Sequence, residues 1–98
     1  MADALIFEFA SGVSADDYNA VNDILGLDPG KGGEWPSGLL SHTGGSTPSG
    51  GFIVFEVWDS QAQQEQWMAS QLGPALEKAG VTAPTRVEWL TVAGNVQP

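Results

Sequence analysis

The chain has 98 residues, 42% of them apolar and four of them tryptophan, which suits one folded domain spanning 1–98 and does not suit disorder. Twelve acidic side chains against three basic ones give a formal charge of −9, which repels phosphate backbones and anionic lipid, so neither nucleic acid nor a membrane surface is an expected partner. The absence of cysteine removes disulfides, thiolate nucleophiles and Cys-based metal or cluster sites.

Leu5, Phe7 and Phe9 alternate with Ile6 and Glu8, the two-residue period of a half-buried strand, and predict a first strand over Ala4–Ala10. The opening "MADALIFEFA" has no basic start, and no run of 18 apolar residues occurs anywhere. Neither a signal peptide nor a membrane span is indicated, and a cytoplasmic location is the expectation. "SGVSADD" breaks the strand. Ser14 can cap a helix whose first turn holds Asp16 and Asp17, both favoured beside the positive end of the helix dipole. Tyr18, Val21 and Leu25 give that helix one apolar face, and Gly26 ends it, so the first helix covers about Ala15–Leu25.

"DPGKGGEWPSG", from Asp28 to Gly38, is loop composition with Trp35 embedded in it. Its "GKGG" is not a phosphate loop: the spacing is short, no Ser or Thr follows the lysine, and no strand leads in or helix out. "GLLSHT" (Gly38–Thr43) and "FIVFEVW" (Phe52–Trp58) read as two strands joined across "GGSTPSGG". Ser60 followed by Gln63 has capping-box spacing and predicts a second helix from Gln61. Pro74 removes an amide donor and kinks or restarts it before Gly80 ends it. "TRVEWLTV", Thr85–Val92, alternates as the last strand, and a loose tail follows.

The order βαββαβ, with right-handed crossovers, predicts a ferredoxin-like α+β fold: a four-stranded antiparallel sheet with both helices on one face. Apolar residues of both parities, Ile6 beside Phe7 and Val54 beside Phe55, ask for cover on the other face as well. Two copies stacked sheet to sheet supply it, so a homodimer is expected.

"FEVWDS" leading into a helix that ends in "LGPALEKAG", after a strand containing "SHTGG", resembles the dimeric α+β barrel superfamily, in particular its antibiotic-biosynthesis-monooxygenase-like branch. The resemblance spans roughly Ala4 to Val92. It implies a dimeric α+β barrel with a pocket between helices and sheet. Members of that branch include cofactor-free oxygenases that turn polycyclic phenols into quinones, heme-degrading enzymes, and small proteins of no known activity. In the quinone-forming enzymes a side-chain amide and a tryptophan lie one turn apart on the second helix. Gln63 and Trp67 have that spacing, with glutamine where the pattern prefers asparagine. Heme degradation in the family uses an asparagine on the first strand and a histidine late in the second helix. Here Glu8 is the only polar residue of the strand, and Glu77 and Lys78 stand where the histidine should be, so no heme and no other cofactor is expected.

Gln64 shares a stripe with Trp67, Met68, Gln71 and Leu72 on a 3.6-residue period. Facing inward it needs a partner, such as a ligand, a water or His42. Rotated outward, it and its neighbours are simply a solvated helix face. His42, the one histidine, is the candidate general base for a phenolic proton; a lone strand histidine is more often a structural hydrogen bonder or a rim residue. Glu8, Glu56 and Glu88, with Arg86, either form a paired cluster in a sheet–sheet interface or face water. Carboxylates plus one histidine could ligate a metal, but nothing fixes their spacing and none is expected. Tyr18, Trp35, Trp58 and Trp89 line a pocket for a flat ligand or belong to the core.

Two functions follow from these residues. One is a cofactor-independent monooxygenase-like protein acting on or binding a small aromatic phenol. In that reading His42 accepts the proton, Gln63 or Gln64 steadies the anion, and Trp67, Tyr18 and Gln71 hold the ring. The alternative is a non-catalytic dimeric domain that binds a small ligand or a partner.

Overall fold

The computed structural model describes residues 2–31, 34–96 and 98; Met1, Gln97 and two residues of the "GKGG" stretch, Gly32 and Gly33, lie outside the described residues. In order, the elements are β1 (Asp3–Phe9), α1 (Ala15–Leu25), β2 (Leu39–Ser46), β3 (Phe52–Trp58), α2 (Gln61–Trp67), a π-helical turn (Met68–Leu72), α3 (Gly73–Lys78) and β4 (Arg86–Thr91).

The helix ends carry the local chemistry their sequence asks for. Ser14 and Asp17 form a reciprocal capping box, with the Ser14 amide donating to Asp17 Oδ2 at 2.9 Å and the Asp17 amide to Ser14 Oγ at 3.4 Å. Gly26, at φ 73°, takes the left-handed turn that stops α1. Ser60 Oγ accepts from the Gln63 amide at 3.3 Å. Asp3 Oδ2 accepts from the Gln61 amide at 2.9 Å, which ties the start of α2 to the start of β1. Pro74 restarts the second helix, and the adjustment is taken up ahead of it: the Gly73 amide reaches back to the Met68 carbonyl, five residues away. A proline ring crowds the carbonyl four residues earlier and offers no donor, and a widened turn accommodates both.

The strands pair in the order β2-β3-β1-β4, every neighbour antiparallel. This is the expected ferredoxin-like sheet. β2 runs further than its composition suggests, because Gly44, Gly45 and Ser46 stay paired with Val54, Ile53 and Phe52. The hairpin connection is correspondingly short, closed by the Thr47 amide on the Gly51 carbonyl at 2.9 Å. The β2–β3 register shifts between Leu39 and Ser41, leaving Leu40 bulged outward.

Both helices cover one sheet face. Leu5, Phe7, Phe52 and Val54 are buried there, and Val21, Ala75 and Leu76 form a second buried group against the helices, with Phe9 and Leu72 packed against both. On the other face Ile6, Ile53, Phe55 and Leu90 have no helix over them, and Phe55 and Leu90 are exposed. The same parity separates the glutamates. Glu8 and Glu88 sit on the open face and both meet Arg86, whereas Glu56, opposite Leu5 in β1, points under the helices and is buried. Among the described residues no helix is long and apolar enough to cross a membrane.

Candidate functional site

A chain of polar groups runs through the covered side of the sheet. The β2–β3 register sets His42 opposite Glu56. His42 Nδ1 bonds Glu56 Oε2 at 2.7 Å, and Glu56 Oε1 accepts from Trp58 Nε1 at 3.0 Å. At the other end of the imidazole, Nε2 bonds the Tyr18 hydroxyl. An indole N–H only donates and a carboxylate only accepts, so the chain assigns a direction: His42 donates from Nδ1–H to Glu56, and in the neutral imidazole Nε2 accepts from the Tyr18 hydroxyl. Both oxygens of the buried Glu56 carboxylate are thereby satisfied, which burial of a charge requires.

Tyr18 reaches this position because β2 has no side chain in its way. A Cβ on Gly44 would lie 3.0 Å from Cε1 and Cζ of the Tyr18 ring. The ring also packs on Phe52, centroids 5.1 Å apart. Burial pushes the Tyr18 hydroxyl above the ordinary 10.0, the neighbouring Asn22 amide lowers it by less, and the Glu56 charge raises it further. Tyr18 therefore keeps its proton at neutral pH.

The Tyr18 and His42 end of the chain opens on an apolar cleft between α1, the second helix and the sheet. Its walls include Phe7, Phe9, Trp35, Trp67 and Leu72. It encloses about 500 Å³ of empty space counting its mouth. Trp35 comes from the Gly/Pro loop, is held by its Nε1 bond to the Lys31 carbonyl at 2.9 Å, and covers His42 with ring centroids 4.7 Å apart. Trp67 stacks at a tilt on Trp58, 5.8 Å between centroids. The charged side chains of the wall are Asp17 and Glu56, with neither lysine nor arginine beside them.

Of the residues singled out from sequence, Tyr18, His42 and Trp67 meet in this cleft. The glutamines do not join them. Gln63 turns toward Gly38 and accepts from Ser60 Oγ at 3.2 Å, and with Gln71 it lines a shallow groove on the far side of Trp67. Gln64 is buried but lines neither. The expected pairing of a helix-2 amide with His42 is not formed, because Trp67 stands between the cleft and the groove. The amide that does line the cleft is Asn22, one turn after Tyr18 on α1. It is 5% exposed, and its Nδ2 has no hydrogen-bond partner. Its place four residues after Tyr18 was a legible sign of a shared helix face; the missing partner was not. Glu56 does not join Glu8 and Glu88 in one cluster, because strand parity puts it on the covered face of the sheet.

No protein-family profile matches the chain, and no curated protein does. Solved structures do. One is a Chloroflexus aurantiacus protein provisionally described as an antibiotic biosynthesis monooxygenase, 18% identical over 99% of this chain and 98% of that one, with a TM-score of 0.66. Another is a variant of SnoaB, a cofactor-independent oxygenase from Streptomyces nogalater, 10% identical over 99% and 98% with a TM-score of 0.64. A third is the ActVA-Orf6 monooxygenase of Streptomyces coelicolor in complex with nanaomycin D, 16% identical over 99% and 90% with a TM-score of 0.56. At these identities the likeness is one of fold. The chain shares with these proteins the ferredoxin-like α+β fold, a four-stranded antiparallel sheet with its helices on one face.

Proposed function

We propose that the protein binds a small hydroxylated aromatic in the cleft beneath α1 and oxidises it with molecular oxygen without a cofactor. The observation that carries this reading is the hydrogen-bonded chain Tyr18–His42–Glu56, which begins at the wall of an apolar slot and ends on a buried carboxylate. Because His42 Nε2 is already engaged by Tyr18, a ligand reaches the base through the tyrosine. The phenolic proton passes to Tyr18 Oη as the Tyr18 proton moves to His42 Nε2, and Glu56 balances the imidazolium. The apolar walls hold the ring, and Trp35 and Trp67 exclude water.

The electron-rich phenolate is then the reductant, since oxygen chemistry needs an electron source and these side chains supply none. One oxygen atom becomes a ring carbonyl and the other leaves as water, which takes the phenolic hydrogen and one ring hydrogen. Fold likeness to a cofactor-independent oxygenase supports the reading without specifying a substrate. A homodimer formed through the open sheet face, where Phe55 and Leu90 are exposed, is part of the same proposal.

An oxygen electrode and a panel of hydroxylated aromatics test it. With a turned-over phenol in hand, His42→Ala and Tyr18→Phe should each lower the rate by about 10²- to 10⁴-fold, the usual contribution of a positioned acid–base group. Uptake unchanged by both substitutions would refute the relay. No uptake with any phenol, together with binding in the cleft, would leave a ligand-binding domain.

A further inference from the structure

The unpartnered amide of Asn22 stands apart from every other polar group in the cleft. Hydroxyl, imidazole, carboxylate and indole close on one another in a chain, while Asn22 Nδ2, buried beside the Tyr18 hydroxyl, has the geometry of a hydrogen bond to no group of the protein. Buried donors are almost always paired, and leaving one orphaned destabilises the empty protein. Such a group is accounted for when a ligand supplies the acceptor.

Asn22 lies four residues after Tyr18 on α1, so the two side chains project from one face. The amide is near enough to favour negative charge at the Tyr18 oxygen. A ligand oxygen beside Tyr18 Oη therefore lies within the same reach. We infer that Asn22 selects the ligand: its Nδ2 donates to the oxygen that has handed its proton to Tyr18, and the site takes a neutral single-ring phenol while refusing a carboxylate.

This inference rests on the cleft being the ligand site. Charge and size narrow the class. A carboxylate is already an anion at neutral pH and would face Asp17 and Glu56 with no lysine or arginine in the wall to receive it. A phenol arrives neutral and acquires charge only between Nδ2 and Oη, where a preorganised donor is worth most. The slot, walled by Phe7, Phe9, Trp35 and Trp67, suits one flat ring.

The test compares three probes of one ring size, 4-cyanophenol, benzonitrile and 4-cyanobenzoate, by quenching of tryptophan fluorescence at neutral pH. The parent protein should bind 4-cyanophenol about tenfold or more tighter than either other probe. Asn22→Leu, which keeps the volume, should weaken 4-cyanophenol by about 10- to 100-fold, the effect of losing a hydrogen bond to a charged group, and leave benzonitrile within about threefold. Asn22→Asp, which keeps the shape and removes the donor, should weaken 4-cyanophenol likewise and serves if the leucine variant does not fold. The inference is overturned if the parent binds none of the probes, if 4-cyanobenzoate binds as tightly as 4-cyanophenol, or if either variant weakens phenol and nitrile equally. Discrimination lost in the variants without oxygen uptake by any protein would sink the oxidation and keep the role of Asn22. Uptake that is indifferent to Asn22→Leu would do the reverse.

Discussion

On the covered side of the sheet a glutamate meets a histidine across β2 and β3; on the open side two glutamates meet an arginine on β4. The partners are similar in kind and differ in their surroundings. His42 and Glu56 have side chains 12% and 2% exposed and bond at 2.7 Å. Arg86 and Glu8 are 50% and 44% exposed and stand 3.6 Å apart. Water screens the open pair, so it is worth about 0–1 kcal/mol. Under the helices, removing one partner strands a buried polar group, which costs about 3–5 kcal/mol. The open face is therefore free to carry charge at little consequence, while the covered face holds its charge in one arrangement, and that arrangement is the candidate proton path.

The largest expected effect breaks this contrast at its centre. Glu56→Ala should lose about 3–5 kcal/mol of stability in urea denaturation, with Glu88→Ala within about 1 kcal/mol of the parent. Comparable losses for the two variants would mean that burial is not what distinguishes the faces. Next comes Phe55→Lys, which places a charge on the open face. If two copies stack there, losing an aromatic anchor should weaken association by at least about 2 kcal/mol in sedimentation equilibrium. A parent protein that sediments as a monomer at micromolar concentration removes the dimer altogether.

A smaller effect separates two adjacent glycines. Gly44→Ala forces the Tyr18 ring aside and should cost about 1–3 kcal/mol. Gly45, facing the other way, has nothing within 4 Å of an added Cβ, so Gly45→Ala should be neutral or stabilise by about 0.5–1 kcal/mol. Equal effects at both positions would show that Tyr18 does not lie against β2.

The smallest effect is a pH dependence. Tyr18 is the one tyrosine of the chain and is raised above 10.0 in the folded state. Above pH 10.0 the unfolded chain gives up a proton that the folded chain retains. The stabilisation is thus complete below that pH and is lost as pH rises through the folded value. Absorbance titration should find tyrosinate appearing later in the folded protein than in urea, and Tyr18→Phe should have the flatter stability profile in that window. Coincident titration curves would place the hydroxyl in solvent.

The elements were legible because their signals are local. Leu5, Phe7 and Phe9 alternate, Ser14 and Ser60 cap, Gly26 stops a helix, and each acts on residues within about one helical turn or one strand pleat. Their order then leaves few ways to fold, and the ferredoxin-like sheet is among them. His42, Tyr18 and Trp67 could each be picked out by chemistry. That they meet, and that Gln63 and Gln64 do not join them, could not be read, because the rotation of the second helix follows from Trp67 packing on Trp58.

The partner of His42 was decided at the longest range. Leu39 faces Trp58, and without the shift between Leu39 and Ser41 the same count along β2 would bring His42 opposite Phe55, on the open face. A strand's side chains alternate, so a slip of one residue moves every one of them to the other side. The bulge at Leu40 is a property of two strands paired across the sheet, and neither strand's own sequence contains it.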